Sequence, residues 1–469
     1  MSGPLWTAAE AAAATGGRLV GGDGWQASGV SIDTRTMERG DLFVALADQR
    51  DGHDFVPSAE TAGAAASIVS REDAGTGPRL VVPDVLEALQ RLGVAARERS
   101  PAVRVGVTGS VGKTSVKEAI AAVFRASGPA HWSVKSYNNH WGVPLTLSRM
   151  PQDTARGVFE MGMNHAGEIA ALTTQVQPHI ALITRIAPAH LENLGSMEAI
   201  ADAKAEIFAG LAGDGVAIIP ADCEFASRLA GRVNESSAAF LFEFGRARHS
   251  AVRILSWEQA ATSGRGRFDV LGRTVDISIP APGEHQAHNA AAVMAACVAA
   301  GIDSAQIADV LAGLEAQAGR GASFLVELDG GSACIIDDSY NANPVSMASA
   351  IATLARHTPD GRGRRIAVLG EMLEIGESAP ARHRELAATL VDAGVSHVIG
   401  AGAMMDHLIQ ALPSSVRGEM AASPADATAR LCGVLRPGDV VLIKGSNGSG
   451  VHKVVASLRN GAVNAVIKG

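Results

Sequence analysis

Cysteine is scarce: the 469 residues hold four, Cys223, Cys297, Cys334 and Cys432, with no C-x-x-C pair among them. That excludes a zinc ribbon and a disulfide framework, and it fits a reducing compartment. Charge is thin as well, at 19% Asp, Glu, Lys and Arg against roughly 25% in ordinary soluble domains. Small uncharged residues must therefore cover much of the surface. The formal net charge of −8 argues against a general nucleic-acid binder, although a locally positive phosphate pocket is still allowed. Long apolar runs are missing too. The longest strongly apolar helical stretch, Ala290 to Ala300, is well short of the roughly 20 residues that span a bilayer. Residues Met1 to Gly17 carry neither the basic n-region nor the continuous apolar h-region of a secretory signal, so a cytoplasmic chain with no membrane span is expected. With 52 glycines and 19 prolines it is no low-complexity chain, and about 150 residues per domain suggests roughly three folded domains.

The run Ala102 to Thr108 has the pattern of a buried strand, followed by Gly109-Ser110-Val111-Gly112-Lys113-Thr114-Ser115 and a helical stretch from Val116 to Ala126. Strand, glycine turn, helix is the order a phosphate loop requires. The segment before it has its own short strands, Gly29 to Ile32 and Asp41 to Leu46, and a helix from Val85 to Arg99, with Ser100-Pro101 as a boundary. Beyond Val103, strand-like runs at Gly157 to Glu160, Ile180 to Thr184 and Val216 to Ile219 alternate with helices, and an Ala-rich helix follows Asn289. Such alternation predicts a doubly wound, mostly parallel sheet with helices on both faces. Phe240 to Ile279 reads instead as short antiparallel strands. A second boundary falls at Gly319-Arg320-Gly321, after which Phe324 to Leu328, Cys334 to Asp337, Arg365 to Leu369, His397 to Ile399 and Val440 to Lys444 form a smaller α/β unit. The expected fold is α/β in three domains, at residues 1–100, 101–319 and 320–469.

The strict P-loop pattern G-x-x-x-x-G-K-[ST] wants glycine at position 107, and Val107 stands there. What remains, Thr108-Gly109-x-x-Gly112-Lys113-Thr114, keeps glycines for close backbone approach to phosphate, a lysine for the terminal phosphates and a hydroxyl for Mg²⁺. An ordinary strand-to-helix turn would not explain that set. In Met197 to Leu211 the apolar positions Ile200, Ile207, Phe208 and Leu211 form one stripe, and Lys204 lies on it. Such a lysine usually snorkels outward, but a desolvated amine loses its proton and can react with CO₂ to form a carbamate, a metal-binding anion. Glu160 closes one strand and His190 follows another through the loop Arg185 to Ala189. Both therefore belong at the carboxyl ends of strands, where doubly wound sheets bind ligands. Glu160 suits Mg²⁺, a hard cation. His190 by itself would more often be a structural histidine.

Five segments in order resemble the Mur ligase family: Thr108 to Thr114, Glu160 to Glu168, Ala189 to Glu192, Ala203 to Ile207, and Asp337-Asp338-Ser339-Tyr340-Asn341-Ala342-Asn343-Pro344. The resemblance implies a central P-loop ATPase domain, an N-terminal UDP-sugar domain and a C-terminal Rossmann-like domain. It also implies ATP-dependent joining of D-alanyl-D-alanine to a UDP-N-acetylmuramoyl-tripeptide; a monomer is expected, although no motif speaks to oligomeric state. By resemblance the nucleotide contacts are Thr108, Gly109, Ser110, Gly112, Lys113, Thr114, Ser115, Asn138, Asn289, Arg320 and Asp338. Thr114, Glu160, His190 and a carbamylated Lys204 would serve Mg²⁺, and Lys113, Glu160, His190 and Lys204 would form the catalytic set. The substrate set is Ser31, Asp33, Arg35, Asn138, Asn139, His140, Tyr340, Asn341, Asn343 and Lys444. Two segments depart from the family pattern, Ala47-Asp48-Gln49-Arg50 in the first domain and Gln286 within Gly283 to Asn289. Three rivals stand beside this reading: another amide ligase of Mur or folylpolyglutamate type, a P-loop ATPase that switches a protein partner, and a nucleotide-binding scaffold without turnover.

Overall fold

The structure is a computed structural model that describes residues 3–134, 136–189, 191–260 and 262–461. The nine-stranded central sheet positions the site. Its seven contiguous parallel strands run Val252–Gln259, Phe240–Gly245, Val216–Pro220, Ile180–Ile183, Val103–Thr108, Arg156–Glu160 and Ala130–Trp132. The chain leaves Val103–Thr108, fills the two positions on one side of it, and then crosses to Ile180–Ile183 on the other. That reversal of strand order opens a crevice at the strands' carboxyl ends. Thr108, Glu160 and Ile183 stand at its rim.

The antiparallel reading of Phe240 to Ile279 holds only in part. Phe240–Gly245 pairs in parallel with both Val216–Pro220 and Val252–Gln259, and only the pairings of Val252–Gln259 with Gly264–Val270 and of Gly264–Val270 with Arg273–Ile279 are antiparallel. The change of direction follows from chain length, because only the tight connections of the last three strands permit hairpins.

Three helices cover one face of this sheet, Ser304–Ala312 packing against its edge strand Arg273–Ile279. Lys113–Ala126 buries Val116, Ile120, Val123 and Phe124. Glu284–Ala299 buries an unbroken run from Ala290 to Cys297, so methyl groups face both the strands and the neighbouring helix. Alanine gives up almost no side-chain entropy in a helix and permits close approach. The Ala-rich helix begins earlier than the sequence suggests, at Glu284.

The N-terminal residues form a five-stranded sheet in the order Arg18–Val20, Arg79–Val81, Ala66–Val69, Asp41–Val44 and Gly29–Ser31, antiparallel only at the first pair. Its helix Val85–Glu98 is capped by Asp84, which accepts from the Glu87 amide. This unit is fastened to the central one through Trp6 Nε1 donating to Ser148 O (2.8 Å) and Arg149 Nε donating to Val30 O (2.6 Å). The last sheet has six strands: Ala322–Leu328, Gly331–Asp338, Val440–Lys444, Arg365–Gly370, Val395–Ala401 and Arg417–Ala421. All but the first pair are parallel. Among the described residues, no helix is long and apolar enough to cross a membrane.

Candidate active site

The glycine loop runs from the end of Val103–Thr108 into the helix Lys113–Ala126, whose free amides face the crevice. Gly109 has a φ of +145°, and a Cβ there would lie 2.1 Å from Thr184 Oγ1. No other residue type fits. Gly112 (φ +85°) opens the helix against Asn289, whose Oδ1 lies 2.8 Å from where a Cβ would stand. Thr184 braces the turn by donating to Val111 O at 2.6 Å, and Ser110 N donates to Arg185 O at 2.8 Å. Lys113 Nζ folds back to donate to Gly109 O at 2.7 Å. Burial pulls its pKa down, the Arg320 charge adds to that effect, and Glu160 and Glu374 oppose it.

Glu160 is 1% exposed and held from two sides: Thr114 Oγ1 donates to Oε2 and Asn138 Nδ2 donates to Oε1, each at 2.8 Å. A carboxylate and a hydroxyl thus stand together beside the phosphate loop, a hard-oxygen pair of the kind Mg²⁺ prefers. Lys204 is fully buried, at the C-terminal end of the helix Met197–Ala205, and Nζ has no hydrogen-bond partner among the described residues. Desolvation, reinforced by the Lys113 charge, holds its pKa well below the ordinary ammonium range, with Glu206, Glu168 and Glu160 opposing. An orphan amine whose charged form is so disfavoured fits carbamylation. His190 lies outside the described residues.

The cleft encloses about 710 Å³. Ser110, Gly112, Lys113, Thr114, Ser115, Asn138, Glu160 and Asn289 line it from the central sheet. Arg320, Asp338, Tyr340, Asn341, Asn343 and Lys444 line it from the last unit. The two walls touch. Tyr340 Oη donates to Ser136 Oγ, and the Arg320 guanidinium sits 4.1 Å from the Tyr340 ring centre. His285 Nδ1 and Ser349 Oγ meet at 2.9 Å. Asp337, buried beneath the linker, accepts from Gly319 N at 2.8 Å and from the Ser339 hydroxyl, fixing where Arg320 emerges.

Other expected site residues have structural work. Thr108 donates its hydroxyl to Met161 O at 2.8 Å, tying two strands together. Asn139 Oδ1 accepts from Gly142 N, capping the helix Gly142–Ser148, and His140 is exposed outside the cleft lining. Asn343 caps Pro344–Arg356 through Ser346. Lys444 is 2% exposed, with Nζ on Asp338 Oδ2 (2.8 Å) and Asn341 O (2.9 Å), so its ammonium is spent inside the last unit. Ser31 closes a strand of the N-terminal sheet and Asp33 and Arg35 stand in the turn after it, away from this lining; Asp33 and Arg35 pair at 2.7 Å. Ser136, His285 and Ser349 were not singled out by the sequence reading, and Thr184 and Asp337 entered it only as strand ends, Asp337 also opening the Asp337 to Pro344 segment.

Three family models match in sequence order: "Mur ligase family, catalytic domain" over residues 26–98, "Mur ligase middle domain" over 107–297 and "Mur ligase, glutamate ligase domain" over 324–447. The chain belongs to the Mur ligase family. It is 35% identical over 443 residues to the UDP-N-acetylmuramoyl-tripeptide–D-alanyl-D-alanine ligase of Escherichia coli (strain K12), covering 92% of this chain and 93% of that one. A crystal structure of MurF from Acinetobacter baumannii superposes with a TM-score of 0.84 at 28% identity, covering 97% and 99% of the two chains. MurF ligase from Thermotoga maritima in complex with ADP gives 0.75 at 25% identity, covering 92% and 97%.

Proposed function

We propose that this ATP-dependent ligase joins D-alanyl-D-alanine to UDP-N-acetylmuramoyl-tripeptide, forming ADP and phosphate, in peptidoglycan precursor synthesis. The observation that carries the reading is the placement of the phosphate loop and Glu160 at the switch point of the central sheet, inside a cleft whose other wall is the last unit. The units correspond to residues 1–100, 101–319 and 320–469, with the UDP-sugar on the first around Ser31, Asp33 and Arg35.

A carboxylate resists attack by an amine until one of its oxygens becomes a leaving group. Transfer of the terminal phosphoryl group of ATP to the tripeptide carboxylate supplies one, as an acyl phosphate. Lys113 and the loop amides counter the charge of the transferring group, so catalysis is chiefly positioning and electrostatics. The dipeptide amine then attacks and phosphate departs. Thr114 and Glu160 would hold Mg²⁺, and His190 with a carbamylated Lys204 would hold a second ion; bound there, such ions neutralise phosphate charge. Asn289 would lie by the adenine; what supports this is a further hollow of about 70 Å³ that it lines with Ser115, Gln286 and Arg320. Arg320 and Asp338 reach the nucleotide from the last unit, and the Tyr340–Ser136 contact holds that unit over the cleft, excluding water that would hydrolyse the acyl phosphate.

Phosphate release measured with ATP and Mg²⁺, omitting the UDP-linked tripeptide and the dipeptide in turn, tests the reading. Amide product needs both substrates. Release that proceeds at full rate with neither sinks the proposal.

A further inference from the structure

Lys117 is fully buried in the helix Lys113–Ala126, one turn beyond Lys113, and the proposed chemistry makes no use of it. Burying an ammonium costs several kcal/mol unless it is well paired. Here it is paired with the Glu118 carboxylate, and it donates to Ser133 O at 2.7 Å. Ser133 is itself fully buried, directly after the edge strand Ala130–Trp132. Its hydroxyl accepts from the Glu160 amide at 3.3 Å, and its own amide donates to Val158 O. Five residues on, Asn138 donates its side-chain amide to Glu160 Oε1 at 2.8 Å, while its carbonyl accepts from Gly162 N at 2.8 Å. The segment beginning at Ser133 thus grips Glu160 by backbone and carboxylate together, and Lys117 fastens the start of that segment to the phosphate-loop helix. The same helix supplies Thr114 to the other carboxylate oxygen.

We infer that Lys117 is a positioning residue for Glu160: by anchoring Ser133 to the phosphate-loop helix it makes Thr114 and the Glu160 frame one rigid unit for a divalent cation beside the phosphates. The inference rests on the proposed role of Glu160 toward that cation. Lys117 is not among the residues that line the cleft. Its loss leaves the loop amides and Lys113 in place but lets the carboxylate drift relative to Thr114.

The test uses the full-length chain, Mn²⁺ as probe and a non-hydrolysable ATP analogue, with Mn²⁺ affinity read by electron paramagnetic resonance. Lys117→Met is expected to weaken Mn²⁺ binding about tenfold, equivalent to about 1.4 kcal/mol, while metal-free binding of the analogue stays within about twofold of wild type. Val123→Ala, in the core of the same helix, lowers stability without moving Mn²⁺ affinity. Wild-type Mn²⁺ affinity in folded Lys117→Met overturns the inference, and so does an equal loss in Val123→Ala. If Lys117→Met fails to fold, Ser133→Ala takes its place, with a smaller loss in the same direction expected and wild-type affinity again overturning. Glu160→Gln separates the two readings. Retained Mn²⁺ affinity in that variant refutes the role of Glu160, whereas loss there with none in Lys117→Met refutes only the role of Lys117.

Discussion

Lys444 Nζ lies 2.8 Å from Asp338 Oδ2, across two parallel strands in which these residues are register partners. The ammonium also takes the Asn341 carbonyl at 2.9 Å, so one buried cation sets both the Asp338 carboxylate and the turn that leads to Asn343. The last unit therefore presents a pre-set acidic group to the cleft.

Lys444→Met leaves that carboxylate without its partner. Because Asp338 keeps a quarter of its side chain in solvent, the expected loss is at the lower end of the range for breaking a buried pair, about 3 kcal/mol. Urea unfolding measures it. A rise in KM for ATP should accompany it, and unchanged stability together with unchanged KM would contradict the assignment.

Lys113→Ala should abolish product formation with the fold retained, since its amine bonds only to the loop carbonyl of Gly109 among the described residues. Turnover near wild type would remove Lys113 from the phosphate site.

Asn289 faces both Gly112 and the small hollow beside the cleft. Asn289→Ala is expected to raise KM for ATP several-fold with little change in KM for the dipeptide. Steady-state kinetics with each substrate varied in turn decides it.

Lys204 gives a pH prediction. Its pKa in the folded chain is depressed by burial and by Lys113, whereas in the unfolded chain it returns to roughly 10.4. Between the two values the unfolded chain binds the extra proton, so this group makes stability rise with pH through that window and fall as pH drops through it. In bicarbonate-free buffer, unfolding free energy should climb more steeply with pH for wild type than for Lys204→Met. Equal slopes would mean the buried amine is not neutral.

Gly109→Ala brings a methyl group onto the Thr184 hydroxyl and asks alanine for φ near +145°. Such strain costs about 1–3 kcal/mol before the clash is counted. Calorimetry should show a lowered melting temperature, and nucleotide binding should be lost. Relieving the clash with Thr184→Ala would not restore the backbone.

Local patterns on the page explain what could be read from sequence. A strand, two glycines, a lysine and a threonine are contiguous, so the phosphate loop was legible, and helical spacing alone turned Lys204 inward. The parallel pairing of Phe240–Gly245 was not, because strand direction depends on partners distant in sequence. Short strands such as Ala66–Val69, Arg79–Val81 and Arg417–Ala421 went unread for the same reason, since three to five residues carry little periodicity. The structural duties of Lys444 and Asn343 were equally hidden, because a buried ion pair and a helix cap look like surface polarity until the neighbouring strand or turn is in place. Lys117 shows the converse. It sits in plain view four residues after Lys113, yet only the Ser133 carbonyl shows what it is for.

The methyl-lined helix Glu284–Ala299 has one more effect. It packs on the strands and, side by side on the same face, against the phosphate-loop helix, and it carries Asn289 half-buried near its start. A bulkier side chain at Ala291 or Ala295, both fully buried, has nowhere to expand. The whole rod must tilt, and Asn289 tilts with it. Nucleotide grip can therefore be tuned from inside that helical layer, by side chains that do not line the cleft.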